Sequence, residues 1–173
     1  MTENEPIKAV SDGFTFLSTG RYYDGINQWI AHSIKEGDSD AIDYAARRMA
    51  PIVPANAILV PIPGHHGVAD QTLRLAQALS SYTRLPFVDA LRGREHKSQY
   101  EAKQRGHLLS GREMGFHQIR ELPAGRIPCL IDNVVDTGAT EKAAAEALGN
   151  AMVLSFAMSD NLLQREKHIG FQR

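Results

Sequence analysis

The chain has 173 residues, enough for one domain with a sizeable core, and its formal charge of 19 minus 20, or −1, gives no global field for nucleic acid or membrane, so anion binding must be local. One cysteine, Cys129, excludes an intramolecular disulfide and a cysteine-rich zinc module. The polar, acidic segment from Met1 to Pro6 is no secretory signal and no apolar run reaches membrane-spanning length, so a soluble cytoplasmic protein is expected.

Phe14, Phe16, Tyr22 and Tyr23 around Ser18-Thr19-Gly20 predict a hairpin or extended lid piece over 7–23. Ile26, Ile30 and Ile34 recur at helical spacing beside Trp29 and end at Gly37; a second helix follows, capped by Asp38, Ser39 or Asp40 and stopped by Pro51, with Ile42, Ala45, Ala46 and Met49 on one face. This N-terminal third, 7–55, is read as an appendage or hood. A core over 56–158 and a polar tail over 159–173 complete a single domain.

The continuous apolar run Ala57 to Ile62 predicts a strand buried on both faces, followed by the loop Pro63-Gly64-His65-His66-Gly67 and a helix presenting Val68, Leu75, Ala76 and Leu79. Leu85 to Leu91 reads as a further strand, with Pro86 tolerated near its start. From 92 to 112 there is no clear period; the stretch holds Arg92, Arg94, Lys97, Lys103, Arg105 and Arg112 against Glu95 and Glu101, a basic loop long enough to be functional. Ile127 to Asp132 forms a strand, Glu141 to Leu148 a helix ending at Gly149-Asn150, and Ala151 to Met158 the last strand. Such alternation implies an α/β fold with an open, mostly parallel sheet and flanking helices, whose ligands bind beyond the carboxyl ends of the strands.

The turn Asp136-Thr137-Gly138-Ala139-Thr140 enters a helix, so unpaired N–H groups and the positive end of the dipole face the loop. Phosphate suits that position, with Thr137 and Thr140 as hydroxyl donors and Gly138 allowing close backbone approach. Carboxylates do not face phosphate favourably, so Asp132 and Asp136 should meet hydroxyls, a metal ion or a basic atom. A phosphorylated sugar presents both kinds of group.

Leu130 to Thr140 resembles the ribose-phosphate motif of the type I phosphoribosyltransferases: apolar residues, two acidic positions, two apolar positions, a variable position, then Thr-Gly-Gly/Ala-Thr. Together with Val60-Pro61-Ile62-Pro63, Gln99, Arg105 and Gly115-Phe116, it looks most like the ComF-like, amidophosphoribosyltransferase-related branch. The resemblance covers 57–158 and implies transfer of a phosphoribosyl group from phosphoribosyl pyrophosphate (PRPP) to a nitrogen acceptor. It implies that Asp132 binds the ribose diol, that Asp136 to Thr140 hold the 5-phosphate, and that Pro63, Gly64, His65 and His66 belong to the pyrophosphate loop. The basic loop with Arg92, Arg94, Lys97, Lys103 and Arg105 would close over pyrophosphate, magnesium would bridge substrate oxygens with few protein ligands, and Asp136 would stand near the acceptor as a proton acceptor.

Three features depart from the family. Asn133 stands at the second acidic position, histidines replace the expected arginine or lysine in the pyrophosphate loop, and the zinc ribbon of many ComF proteins is absent. Asn133 and the histidine loop suit a non-catalytic PRPP-binding regulator, or a nucleic-acid-associated protein of the competence type, on the same fold. Val135 to Thr140 also fits the signature of retroviral-type aspartic proteases, which requires an all-β chain. A homodimer is compatible with all these readings.

Overall fold

The computed structural model describes residues 5–96, 101, 104–106 and 110–164. Five strands form one sheet in the order β1-β2-β7-β6-β3: β1 (Ile7–Ser11), β2 (Phe14–Ser18), β7 (Met152–Met158), β6 (Ile127–Val135) and β3 (Ala57–Pro61). Only β1 with β2 is antiparallel; β2–β7, β7–β6 and β6–β3 are parallel. The α/β class read from the sequence is therefore the observed one, and a mostly parallel sheet flanked by helices leaves no place for the all-β protease reading.

Strand periodicity explains the two-sided core. Successive side chains point to opposite faces, so Leu59, Ile131 and Leu154 join one apolar cluster while Val60, Leu130 and Val153 join another. The first cluster is covered by α1 (Asn27–Lys35), α2 (Ser39–Met49) and α3 (Gln71–Thr83) through Ile34, Met49 and Leu75. On the other face, α5 (Ala139–Ala147) contributes Ala144 and Ala145. Full burial of one large apolar side chain such as Phe16 is worth about 1.5–3 kcal/mol, so both faces matter to stability.

The N-terminal third is built into the molecule rather than appended to it. Its hairpin extends the sheet at β2–β7, and Ile30, Ala31 and Ile34 pack in the same cluster as Ile131 and Phe156. As expected, Asp38 caps α2, its side chain accepting from the Ala41 N–H at 2.9 Å.

Three local expectations change. The strand over 85–91 reduces to one bridge, Phe87 beside Leu59, with the Val88 N–H donating to the Leu59 carbonyl at 2.9 Å and the Leu59 N–H donating to that of Pro86 at 3.0 Å. Val68 is exposed in a turn, and α3 begins only at Gln71. After β4 (Leu91–Arg92), the short helix α4 (Gly111–Met114) starts in a Ser110–Glu113 capping box, and β5 (His117–Gln118) returns antiparallel to β4. The tail is helical over 160–164 and buries Leu162 against the sheet. Among the described residues no helix is long and apolar enough to cross a membrane.

Candidate functional site

β6 carries the chain from the buried Cys129, Leu130 and Ile131 to Asp132, half-buried in the wall of a cleft of about 250 Å³. Pro63, Gly64 and His65 line the cleft from the loop after β3, Thr72 from the first turn of α3 and Thr140 from that of α5. Two helix N-termini thus open on one space, where their unpaired N–H groups and dipoles favour an anion. Lys35, at the end of α1, and His96 complete the lining. Sequence reading missed both, Lys35 because its helix looked peripheral and His96 because it sits among more numerous arginines and lysines.

The loop 63–67 is fixed by backbone contacts. Gly64 N–H donates to Val68 and Gly67 N–H to Gly64, each at 3.0 Å, while Gly93 N–H donates to Gly67 at 2.9 Å and His96 N–H to His65 at 2.8 Å. The start of the basic stretch is therefore zipped to this loop. The His65 and His66 rings lie 4.0 Å apart, and His66 Nδ1 is 3.8 Å from the exposed Glu95 carboxylate. Burial, then the neighbouring His66 and His96, pull the His65 imidazole below its usual range. Lys35 brings an ammonium group to the lining.

Residues of the central motif divide their work. Asp132 Oδ1 accepts the Asn133 N–H at 2.7 Å, and burial pushes its carboxyl above the usual carboxylate range. Asn133 points to the helical side, its Nδ2 donating to the Ala31 carbonyl of α1 at 2.9 Å. Gly138 adopts φ +84°, which favours glycine, and a Cβ there would crowd the Phe16 ring at 3.1 Å. Thr137 Oγ1 accepts the Ala139 N–H at 3.3 Å. Beyond the strand, Asp136 Oδ1 accepts from Ser159 Oγ at 2.8 Å and Asn161 Nδ2 at 2.7 Å. Both partners come from the segment read as a tail.

The basic residues are less convergent. Arg92 is ion-paired with Asp89 at 2.8 Å and also donates to the Leu91 carbonyl. Arg94 is anchored by its N–H to the Met114 carbonyl at 2.8 Å, with its side chain against Gly115. Arg105 is exposed. Lys97, Lys103 and Gln99 lie outside the described residues.

Among solved structures, adenine phosphoribosyltransferase from Leishmania donovani superposes with a TM-score of 0.50 at 15% identity over 94% of this chain and 79% of that one. The fold is that of the type I phosphoribosyltransferases. Adenine phosphoribosyltransferase from Thermoanaerobacter pseudethanolicus is also similar, with a TM-score of 0.48, 18% identity and 78% of each chain covered. The allosteric regulatory enzyme of purine biosynthesis gives 0.44 at 15% identity, over 68% of this chain but only 25% of that longer one. No family model and no curated protein matches the sequence.

Proposed function

We propose that this chain transfers the phosphoribosyl group of PRPP to a nitrogen nucleophile, a nucleobase or an amine, with release of pyrophosphate. The observation that carries the reading is one carboxylate, Asp132, set in a cleft that Lys35, Thr140, His65, His96 and the N-termini of two helices share with the apolar Ile62 and Pro63. A sugar phosphate needs that mixture, hydroxyls for the carboxylate and phosphates for the donors. In this reading Asp132 takes the ribose diol, Thr137 to Thr140 the 5-phosphate, and Pro63 to His66 with Lys35 and His96 the pyrophosphate. The ComF-like affiliation belongs to the same proposal and rests on the motifs at 60–63 and 130–140.

In the reaction the acceptor nitrogen forms a bond to the ribose carbon while the carbon–oxygen bond to pyrophosphate breaks, its electron pair leaving with pyrophosphate. Positive charge grows on the ring and negative charge on the leaving group. Lys35 and the N–H groups of the α3 terminus stabilise the leaving group. Asp136, oriented by Ser159 and Asn161, accepts the proton released by the acceptor. Magnesium fits as an ion carried by the substrate: among the described residues no group of three His, Cys, Asp or Glu could cage a metal, and magnesium is satisfied by phosphate oxygens and water. When bound it would neutralise charge on the pyrophosphate.

A second reading, a PRPP-binding regulator without turnover, is favoured by the engagement of Arg92 with Asp89 and of Asn133 with Ala31. Pyrophosphate release measured against nucleobases and ammonia, with PRPP and magnesium, separates the two. Transfer predicts release with at least one acceptor and a loss of about 100-fold in Asp136→Asn, the usual scale for a general base. Saturable PRPP binding with no release for any acceptor selects the regulator.

A further inference from the structure

We infer that the outer face of α1 and α2 is the contact between two copies of this chain related by a two-fold axis. The inference is independent of the PRPP reading. α1 is apolar on both of its sides. Ile30, Ala31 and Ile34 are buried in the cluster that holds Ile131 and Phe156, while Ile26, just ahead of the helix, is 54% exposed and Trp29 is 68% exposed. A helix covered on one side only is expected to turn polar residues outward. Nor does the cleft account for this second stripe, because the residue of α1 that lines it is Lys35.

Ile26 and Trp29 border a separate groove of about 330 Å³ between α1 and α2, lined also by Ile30 and Tyr44 and, from the two ends of α2, by Asp40 and Arg47. On α1 the positions 26, 29 and 30 share one helical face, as do 40, 44 and 47 on α2. The groove therefore has an apolar centre and charged ends. Tryptophan, tyrosine and arginine are the side chains that carry most binding energy in protein contacts, and Trp29, Tyr44 and Arg47 bring all three together here.

The charges on α2 select the occupant. Asp40 lies in its first turn and Arg47 in its last, about 10 Å apart along the axis. Asp40 is exposed, and its side chain has no hydrogen bond or ion pair among the described residues. Arg47 is paired with Asp43 at 3.1 Å, both side chains being about half exposed or more, and a guanidinium with five donors can take a second carboxylate. A partner segment of one charge would satisfy one end of the groove and oppose the other. A second copy satisfies both: with the two α2 helices antiparallel across a two-fold axis, each Asp40 meets the partner's Arg47, and two equivalent ion pairs flank the apolar centre.

Trp29 is the only tryptophan of the chain, so its fluorescence reads this face directly. Sedimentation velocity and tryptophan emission are measured on the full chain over the same concentration series. The expected result is a monomer–dimer equilibrium in which emission moves to shorter wavelength as dimer forms. Ile26→Glu, Asp40→Arg and Arg47→Asp, all at exposed positions, are each expected to weaken the dimer by about tenfold or more, and the double reversal Asp40→Arg with Arg47→Asp to return it to within about threefold of the native value. Circular dichroism and thermal unfolding establish that each variant is folded. A monomer at every concentration overturns the inference and leaves the groove to a foreign partner. A dimer that forms without change in Trp29 emission, or that all three single variants leave intact, uses another face and overturns it too, as does a double reversal no stronger than the single ones.

Discussion

Burial alone pushes the Cys129 thiol up to about 12, so the chain's single sulfhydryl stays protonated and takes no part as a nucleophile. The same cause acts on the Asp132 and Glu141 carboxyls, with a consequence for stability. Glu141 and Asp132 are both raised, so above the ordinary glutamate value of 4.5 the native state holds protons that the unfolded chain has released. Unfolding then gives up protons, and stability falls as pH rises from that value toward the raised one. Denaturant unfolding across pH 4–8 should show this decline in the native protein and a flatter profile in Glu141→Gln; parallel profiles would show that Glu141 is not its source. Asp132 was legible in the sequence because two carboxylates flanking an apolar pair before Thr-Gly-Ala-Thr is a rare pattern. Glu141 was not, because a glutamate in a helix made of strong formers reads as solvent-exposed.

Loop 63–67 owes its shape to glycine at a specific position. Gly67 has φ +82°, and a Cβ there would overlap the Gly93 carbonyl oxygen. Gly13 has nearly the same angle, +81°, with nothing within 4 Å, so it isolates the cost of the backbone conformation, about 1–2 kcal/mol. Gly67→Ala should therefore destabilise by clearly more than Gly13→Ala and also weaken PRPP binding, as it forces the 63–67 loop from the 93–96 segment. Equal losses in denaturant unfolding would contradict the zipped loop. Helices and strands with strong periodicity were readable, from α2 with its Asp38 cap to β3, β6 and β7. What the sequence concealed was pairing between distant elements: β2 with β7, and the short β4–β5 ladder whose two-residue strands carry almost no pattern.

Across the whole molecule, a net charge of −1 coexists with a cleft to which Lys35, His65 and His96 are brought together, so its local chemistry is a matter of placement. Lys35 reaches the cleft only because α1 packs on the sheet beside Asn133 and Ile131, which makes the N-terminal third part of the site. The class of fold could be read from the order of strands and helices, and one wall of the cleft, Asp132 and Thr140, from one motif. Its second wall could not be read, since Lys35 and Asp132 are 97 positions apart in the numbering and meet only through packing.

If the cleft binds PRPP through Asp132, calorimetric titration of PRPP with magnesium should show saturable binding to the native protein and an affinity about 10- to 100-fold lower for Asp132→Asn, the scale of one charged hydrogen bond. Absence of saturable binding by the native protein, or equal affinity in the two, would contradict it.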